Sequence, residues 1–230
     1  MSGNALVSVI IPVYNGGSFL REALESAFAQ TYSPIEVIAV DDGSTDNSAD
    51  IVEAFSGVRC LRQQNQGPGA ARNLGILASK GSYIALLDQD DKWLPRNVEL
   101  QVARLVEKPA LGFTLARTKS FLEPGVAMPS WTDEGQLQRD RGFPPGAFVG
   151  RRSLFDQVGL YDPRYRYASD SDWFFRASNM GVRMEYVEGA VLLRRIHAGN
   201  QSYNSRECQM ELLRLARESI RARAKGGAPK

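Results

Sequence analysis

The sequence predicts an α/β protein built on a mainly parallel, doubly wound sheet, and three observations carry that expectation. Short apolar runs rich in β-branched residues alternate with segments whose apolar residues recur at helical spacing. The runs Leu6–Ile11, Ile35–Val40 and Tyr83–Leu87 lead directly into Pro12, Asp41 and Asp88, the residue types at which a chain turns beyond a sheet. With 230 residues, 43% of them hydrophobic, the chain is long enough for one large domain with a real core.

Taken in order, Leu6–Ile11 reads as a buried first strand that stops at Pro12. Asn15-Gly16-Gly17 turns the chain, and Phe19, Leu20, Ala23, Leu24, Ala27 and Phe28 then form one face of a helix with Ser18 as its N-cap. Ile35–Val40 is a second strand, cut by Asp41-Asp42-Gly43-Ser44. Ile51, Val52 and Phe55 mark a short helix ended by Gly57, and Val58–Leu61 a third strand. Gly67-Pro68-Gly69 opens a helix to about Ser79; proline suits its first turn, where a missing N–H costs nothing. Tyr83–Leu87 is the fourth strand and ends in Asp88-Gln89-Asp90-Asp91, after which Pro95 begins a helix with Val98, Val102 and Leu105 inward.

The second half is less regular. Leu111–Thr118 reads as a strand, Pro124–Gly146 as a long polar loop, Asp170–Met180 as a helix and Val182–His197 as one or two strands. A basic amphipathic helix spans Ser205–Ala224. Its apolar stripe is Met210, Leu213, Ala216 and Ile220, with Arg214, Arg217, Arg221 and Arg223 around it. From Tyr203 onward seven basic and three acidic residues give +4, so the remainder carries −2. Docking on its own domain is the plainer role for this helix, and peripheral contact with a membrane the alternative.

Composition excludes several functions. A net charge of +2 is too balanced to argue for nucleic acid. Cys60 and Cys208 make no disulfide framework, no run approaches the ~20 apolar residues of a spanning helix, and the first residues lack a basic leader. The expected location is therefore cytoplasmic, with the inner face of the membrane as the second reading. A single histidine and no G-x-S-x-G argue against serine or cysteine hydrolases; nucleotide-binding G-x-G-x-x-G and P-loop patterns are absent too.

In open parallel sheets, ligands bind beyond the carboxyl ends of the strands. Three such ends here carry marked residues: Pro12–Asn15, Asp41-Asp42 and Asp88–Asp91. Helix capping would account for any one of them, whereas three in succession favour a shared crevice. Crowded aspartates repel unless a cation joins them, and a hard divalent ion with phosphate as its other ligand is the economical answer. In an extended chain, Asp88-x-Asp90 sends both carboxylates to a similar side.

The segments VSVIIPVYN, EVIAVDDGSTDNS and NQGPGAARNLGILASKGSYIALLDQDD, followed by VGLYDPRY, ASDSDWFFRA and LRRIHAGNQS, resemble the family 2 glycosyltransferases from Val7 to Ser202. That resemblance implies a GT-A fold and an inverting enzyme that uses a nucleotide-sugar donor. It implies a glycosyltransferase domain over residues 1–202, with a nucleotide-binding half to about 108, an acceptor half beyond it, and an appended tail at 203–230. Pro12 and Tyr14 would line the nucleobase pocket, Asp42 would accept a pyrimidine N3–H, and Arg72 would sit beside the same base. Asp88 would reach the ribose or the metal, while Asp90 and His197 would ligate Mn²⁺ or Mg²⁺. Asp170 would be the general base; the family's Glu-Asp-x-Asp appears with Ser169 in place of the Glu, and Asp172 is left to cap the helix. Asp41 and Asp91 are supporting acids.

A UDP- or dTDP-sugar donor and a glycan or lipid-linked acceptor follow from the same resemblance. So does a role in surface polysaccharide assembly. The chain lacks the processive Q-x-x-R-W signature, so one sugar is expected per turnover. The loop Pro124–Gly146 and the stretch Gly146–Arg152 are expected at the acceptor, with Trp131 and Phe143 available to stack on a sugar. Two rival readings stand beside this one: a nucleotidyltransferase, which would want more cations after the first strand, and a non-catalytic nucleotide- or glycan-binding module.

Overall fold

The computed structural model describes residues 4–128, 133–137, 144–200 and 206–226. Its centre is an eight-stranded sheet formed by β1 (Val7–Val13), β2 (Ile35–Asp41), β3 (Val58–Arg62), β4 (Tyr83–Leu86), β5 (Lys92–Trp93), β6 (Leu111–Leu122), β7 (Phe148–Arg151) and β8 (Arg183–Ile196). The spatial order is β3-β2-β1-β4-β7-β6-β8-β5. β1 is parallel to β2 and β4, β2 to β3, and β6 to β8, so the expected parallel sheet is present. Only β5 and β7 run antiparallel to their neighbours.

Every residue of β1 is buried, as a central strand covered on both faces requires. Pro12 lies inside this strand rather than ending it. The partnership with β4 stops at Ile10, so the proline nitrogen points past the end of β4 and no ladder bond is lost. The helices α1 (Leu20–Phe28), α2 (Ser48–Glu53), α3 (Pro68–Ala78) and α4 (Asn97–Glu107) follow the expected alternation. Ser18 does not cap α1; the Gly16 carbonyl accepts from the N–H groups of Phe19 and Leu20 instead. Gly75 of α3 lies so close to β1 that a Cβ there would meet Ile10 Cγ2 at 2.5 Å.

The antiparallel β7 was not anticipated. Phe148 and Val149 are fully buried between β4 and β6, so these two side chains belong to the core, while Arg151 and Arg152 remain half-buried. β8 is one strand with an irregularity: Ala116 pairs with Val187 but Arg117 with Val191, and Gly189 takes φ +82° in the excursion. Helices α5 (Glu134–Leu137), α6 (Ser153–Gln157), α7 (Ser169–Asn179) and α8 (Arg206–Gly226) complete the described chain.

Trp173 anchors α7 to the sheet. It is fully buried, with its ring 5.5 Å from that of Phe148 and 5.9 Å from that of Phe113, and its Nε1 donates to the Gly159 carbonyl at 2.9 Å. Asp172 does not cap this helix; it pairs with Arg176 one turn on, at 2.8 Å. Among the described residues no helix is long and apolar enough to cross a membrane.

Candidate active site

The chain passes from β1 outward to β2 and β3, then returns through α3 to β4 on the other side of β1. This reversal separates the loops after β1 and β4 and opens a crevice between them. A cavity of about 810 Å³ lies there, and Pro12, Tyr14, Asp42, Arg72, Asp88, Asp90, Asp170 and His197 all line it. Asp91 lines it as well. Asp41 is not among the lining residues; its Oδ1 accepts from Ser44 N–H at 2.9 Å and closes the turn after β2.

At one end, Asp42 is almost wholly buried at 2% exposure. Its Oδ1 accepts from Gln63 Nε2 at 2.7 Å and from Gln66 N–H at 2.9 Å, while Oδ2 accepts from Gly67 N–H at 2.8 Å. Gly67 reaches that position with φ +93°, a conformation open to glycine. Oδ2 therefore keeps one acceptor site for a ligand N–H. Tyr14, exposed at the rim, is fixed through its backbone. Its N–H donates to Gln89 Oε1 at 2.8 Å, and Gln89 Nε2 donates to its carbonyl at 3.0 Å.

Arg72 is buried, 5% exposed, and donates to Asp88 Oδ1 at 2.7 Å. Its guanidinium carbon stands 5.7 Å from the Tyr161 ring centroid, and its Nε is buried without a partner. Asp88 thus meets Arg72 directly, a pairing that the sequence spacing did not reveal.

Further along, Asp90 Oδ2 lies 2.9 Å from His197 Nε2 and accepts from Asn200 Nδ2 at 3.0 Å. The carboxylate and the imidazole are a suitable donor pair for Mn²⁺ or Mg²⁺. Among the described residues no third His, Cys, Asp or Glu joins them, so remaining positions would fall to the substrate and water.

Arg195 supports this end from beneath. Only 4% exposed, it donates Nε–H to the Asp90 carbonyl at 3.0 Å and its backbone N–H to Asp91 Oδ1 at 2.8 Å. Its guanidinium also pairs with Glu22 and Glu123 and lies over the rings of Phe19 and Phe121. Burial, together with the charges of Asp90 and Asp88, pushes the Asp91 carboxyl well above the usual range.

Asp170 occupies the first turn of α7. Burial raises its pKa above the ordinary carboxylate value; Arg72 and the Ser171 N–H work against that, and Asp88 reinforces it. Ser169 is buried against α3, where a Cβ on Gly69 would meet its Oγ at 2.9 Å. The glutamate expected at that position would be crowded here. The turn before α7 is held from outside by Glu211 of α8, which accepts N–H bonds from Arg166 at 3.1 Å, Tyr167 at 2.8 Å and Ala168 at 2.9 Å. Cys208 and Leu212 of α8 reach the cavity lining, as do Pro144 and Pro145. Trp131 and Phe143 lie outside the described residues.

Sequence reasoning missed Gln89, Asn200, Arg195 and Glu211. Gln89 and Asn200 sit inside the quoted motifs and were legible as neighbours of Asp90 and His197. Arg195 and Glu211 act through contacts across the fold that no local pattern announces.

The strand order and the crevice at the strand ends are those of an α/β fold with a ligand site at its topological switch point, and comparison with known proteins narrows the class. The model of the family described as glycosyl transferase family 2 matches residues 8–188, and the chain belongs to that family. An uncharacterized glycosyltransferase of Rickettsia prowazekii is 37% identical over 224 residues, covering 90% of this chain and 68% of its own length. Among solved structures, S. aureus TarS 1-349 in complex with UDP-GlcNAc superposes with a TM-score of 0.72 at 21% identity, over 93% of this chain and 66% of that one. GalNAc-T7 with UDP, GalNAc and Mn²⁺ gives 0.69 at 18% identity, over 93% and 48%. The chain spans about two thirds of the rickettsial relative and of the TarS fragment, and about half of GalNAc-T7.

Proposed function

We propose that this glycosyltransferase moves a single sugar from a UDP- or dTDP-sugar to an acceptor hydroxyl, with inversion at the anomeric carbon, in the assembly of a surface glycan. One observation carries the reading. Asp42, the Asp90–His197 pair and Asp170 come from well-separated stretches of chain yet open on one cavity. TarS and GalNAc-T7, which share the fold, are solved with UDP-GlcNAc and with UDP and Mn²⁺, which supports the same ligand class here.

In this scheme Asp42 Oδ2 accepts the N3–H of uracil or thymine, and Tyr14 and Pro12 flank the ring. Arg72 sits beside the same base and holds Asp88, which reaches the ribose or the metal. Asp90 and His197 are the residues that would hold Mn²⁺ or Mg²⁺, whose chemistry there is to neutralise charge growing on the leaving diphosphate. Asp170 accepts the acceptor's hydroxyl proton; as that O–H breaks, its oxygen bonds to the anomeric carbon and the bond to the diphosphate opens. One displacement inverts the centre, and proton removal by a placed base is worth ~10²–10⁴-fold.

The test is thermal unfolding with UDP, dTDP, GDP and CDP, each with and without Mn²⁺. A ligand at a hundred times its Kd stabilises by about 2.7 kcal/mol, a clear melting shift. A shift confined to UDP or dTDP and enlarged by Mn²⁺ supports the donor site. The absence of any shift would remove the nucleotide-sugar reading.

A further inference from the structure

α8 divides its side chains between two surfaces. Its inward stripe is used up by the domain: Glu211 holds the turn before α7, Leu215 is 4% exposed against Tyr165 and Ala168, and Glu218 accepts from the Tyr165 hydroxyl at 2.7 Å. Three turns of the outward side carry Met210, Leu213 and Ile220, which are 60%, 54% and 68% exposed. The stripe that the sequence marks as apolar therefore faces solvent, and a different one docks the helix. Arg206 and Arg217 are exposed beside these residues, and after Glu218 the sequence adds Arg221, Arg223 and Lys225 without another acid.

Glu211 is thus spent on the domain and Glu218 is shared between Tyr165 and Arg214, while the outward side joins apolar side chains to the exposed Arg206 and Arg217. We propose that this outward side lies on an anionic lipid bilayer. Charge complementarity selects that occupant: apolar side chains enter the headgroup boundary while arginines meet lipid phosphates, the division of labour of interfacial helices. Leu212 and Cys208 of the same helix line the cavity, so the docked protein holds the cavity mouth beside the bilayer and suits an acceptor carried on a lipid. That last step rests on the transfer reading given above; the docking does not.

The experiment is co-sedimentation of the full chain with vesicles of phosphatidylcholine alone or mixed with phosphatidylglycerol, at low and high salt. The expected result is binding to the anionic vesicles only, weakened by salt, and reduced more than about tenfold by Met210→Ser, Leu213→Ser and Ile220→Ser together. Arg206→Gln with Arg217→Gln should lower it as well. These side chains are exposed, so an unchanged melting temperature will separate lost binding from misfolding. The proposal is overturned if the protein stays in solution with anionic vesicles at low salt, or if the triple variant binds like the parent. It is also overturned by a concentration-dependent dimer that the same substitutions abolish without any vesicle binding. The UDP melting shift, measured on the same samples, keeps the two readings apart: its persistence without vesicle binding ends only the membrane proposal, and the reverse ends only the transfer reading.

Discussion

Arg72 donates to Asp88 at 2.7 Å while its own Nε, buried, has no partner. The guanidinium is therefore spent on an acid of the β4 end, and its charge also opposes the burial that raises Asp170. Arg72→Met removes the opposing charge. Asp170 starts from a raised value, so activity falls as pH drops through that value and the base is protonated. Without Arg72 the value rises again, and the acid limb of the pH–rate profile should move to higher pH. An unmoved limb would mean that Arg72 and Asp170 are not coupled.

Asp170→Asn keeps the size of the side chain but cannot take the acceptor proton. Turnover should fall by ~10²–10⁴-fold, with the UDP melting shift retained. Near-parental turnover would assign the base elsewhere.

Asp90→Asn and His197→Ala should each abolish the part of the nucleotide melting shift that depends on Mn²⁺, leaving the metal-free part in place. The two substitutions together should do little more than either alone, because the donors act as one pair 2.9 Å apart. A Mn²⁺-dependent shift that survives both substitutions would place the ion away from them.

Glu211 touches no cavity atom that reacts, yet it fixes three N–H groups one step before the helix of Asp170. Glu211→Ala should lower kcat by roughly tenfold with the donor KM unchanged, since the turn loses three bonds that together orient the base. Glu211→Gln, which keeps an acceptor oxygen, should recover part of the loss. Equal losses in both variants, matched by a lower melting temperature, would reduce Glu211 to a purely structural contact.

The nucleotide half was legible because its information is local. β1 carries Pro12 near its end, and β2 and β4 run into Asp42 and Asp88 within a residue or two, so these cavity residues could be read from the apolar runs and what closes them. The second half hides its order. β7 is four residues long and reverses direction between β4 and β6, and no periodicity distinguishes such a segment from a loop. The outward stripe of α8 was legible as apolar but not as exposed, because Leu215 and two glutamates supply the docking face through contacts with Tyr165 and residues 166–168. A hydrophobic pattern predicts burial only where no other face of the helix has a better partner.

The site depends on how closely α3 approaches β1, and Gly75 sets that approach. A Cβ at this position would lie 2.5 Å from Ile10 Cγ2 and 3.3 Å from Val40 Cγ2, side chains packed beneath the helix that carries Arg72. Ile10 is fully buried in a central strand and cannot yield without shifting β1. The strain of such overpacking is about 1–3 kcal/mol, against which the better helix propensity of alanine returns about 1 kcal/mol. Gly75→Ala should therefore lower the urea midpoint by a small but measurable amount, and Gly75→Val by considerably more. Because α3 also carries Arg72, the valine variant should weaken the UDP melting shift while Asp170→Asn leaves it intact. A valine variant as stable as the parent would show that helix and strand separate easily, and that the Arg72–Asp88 contact does not depend on their packing.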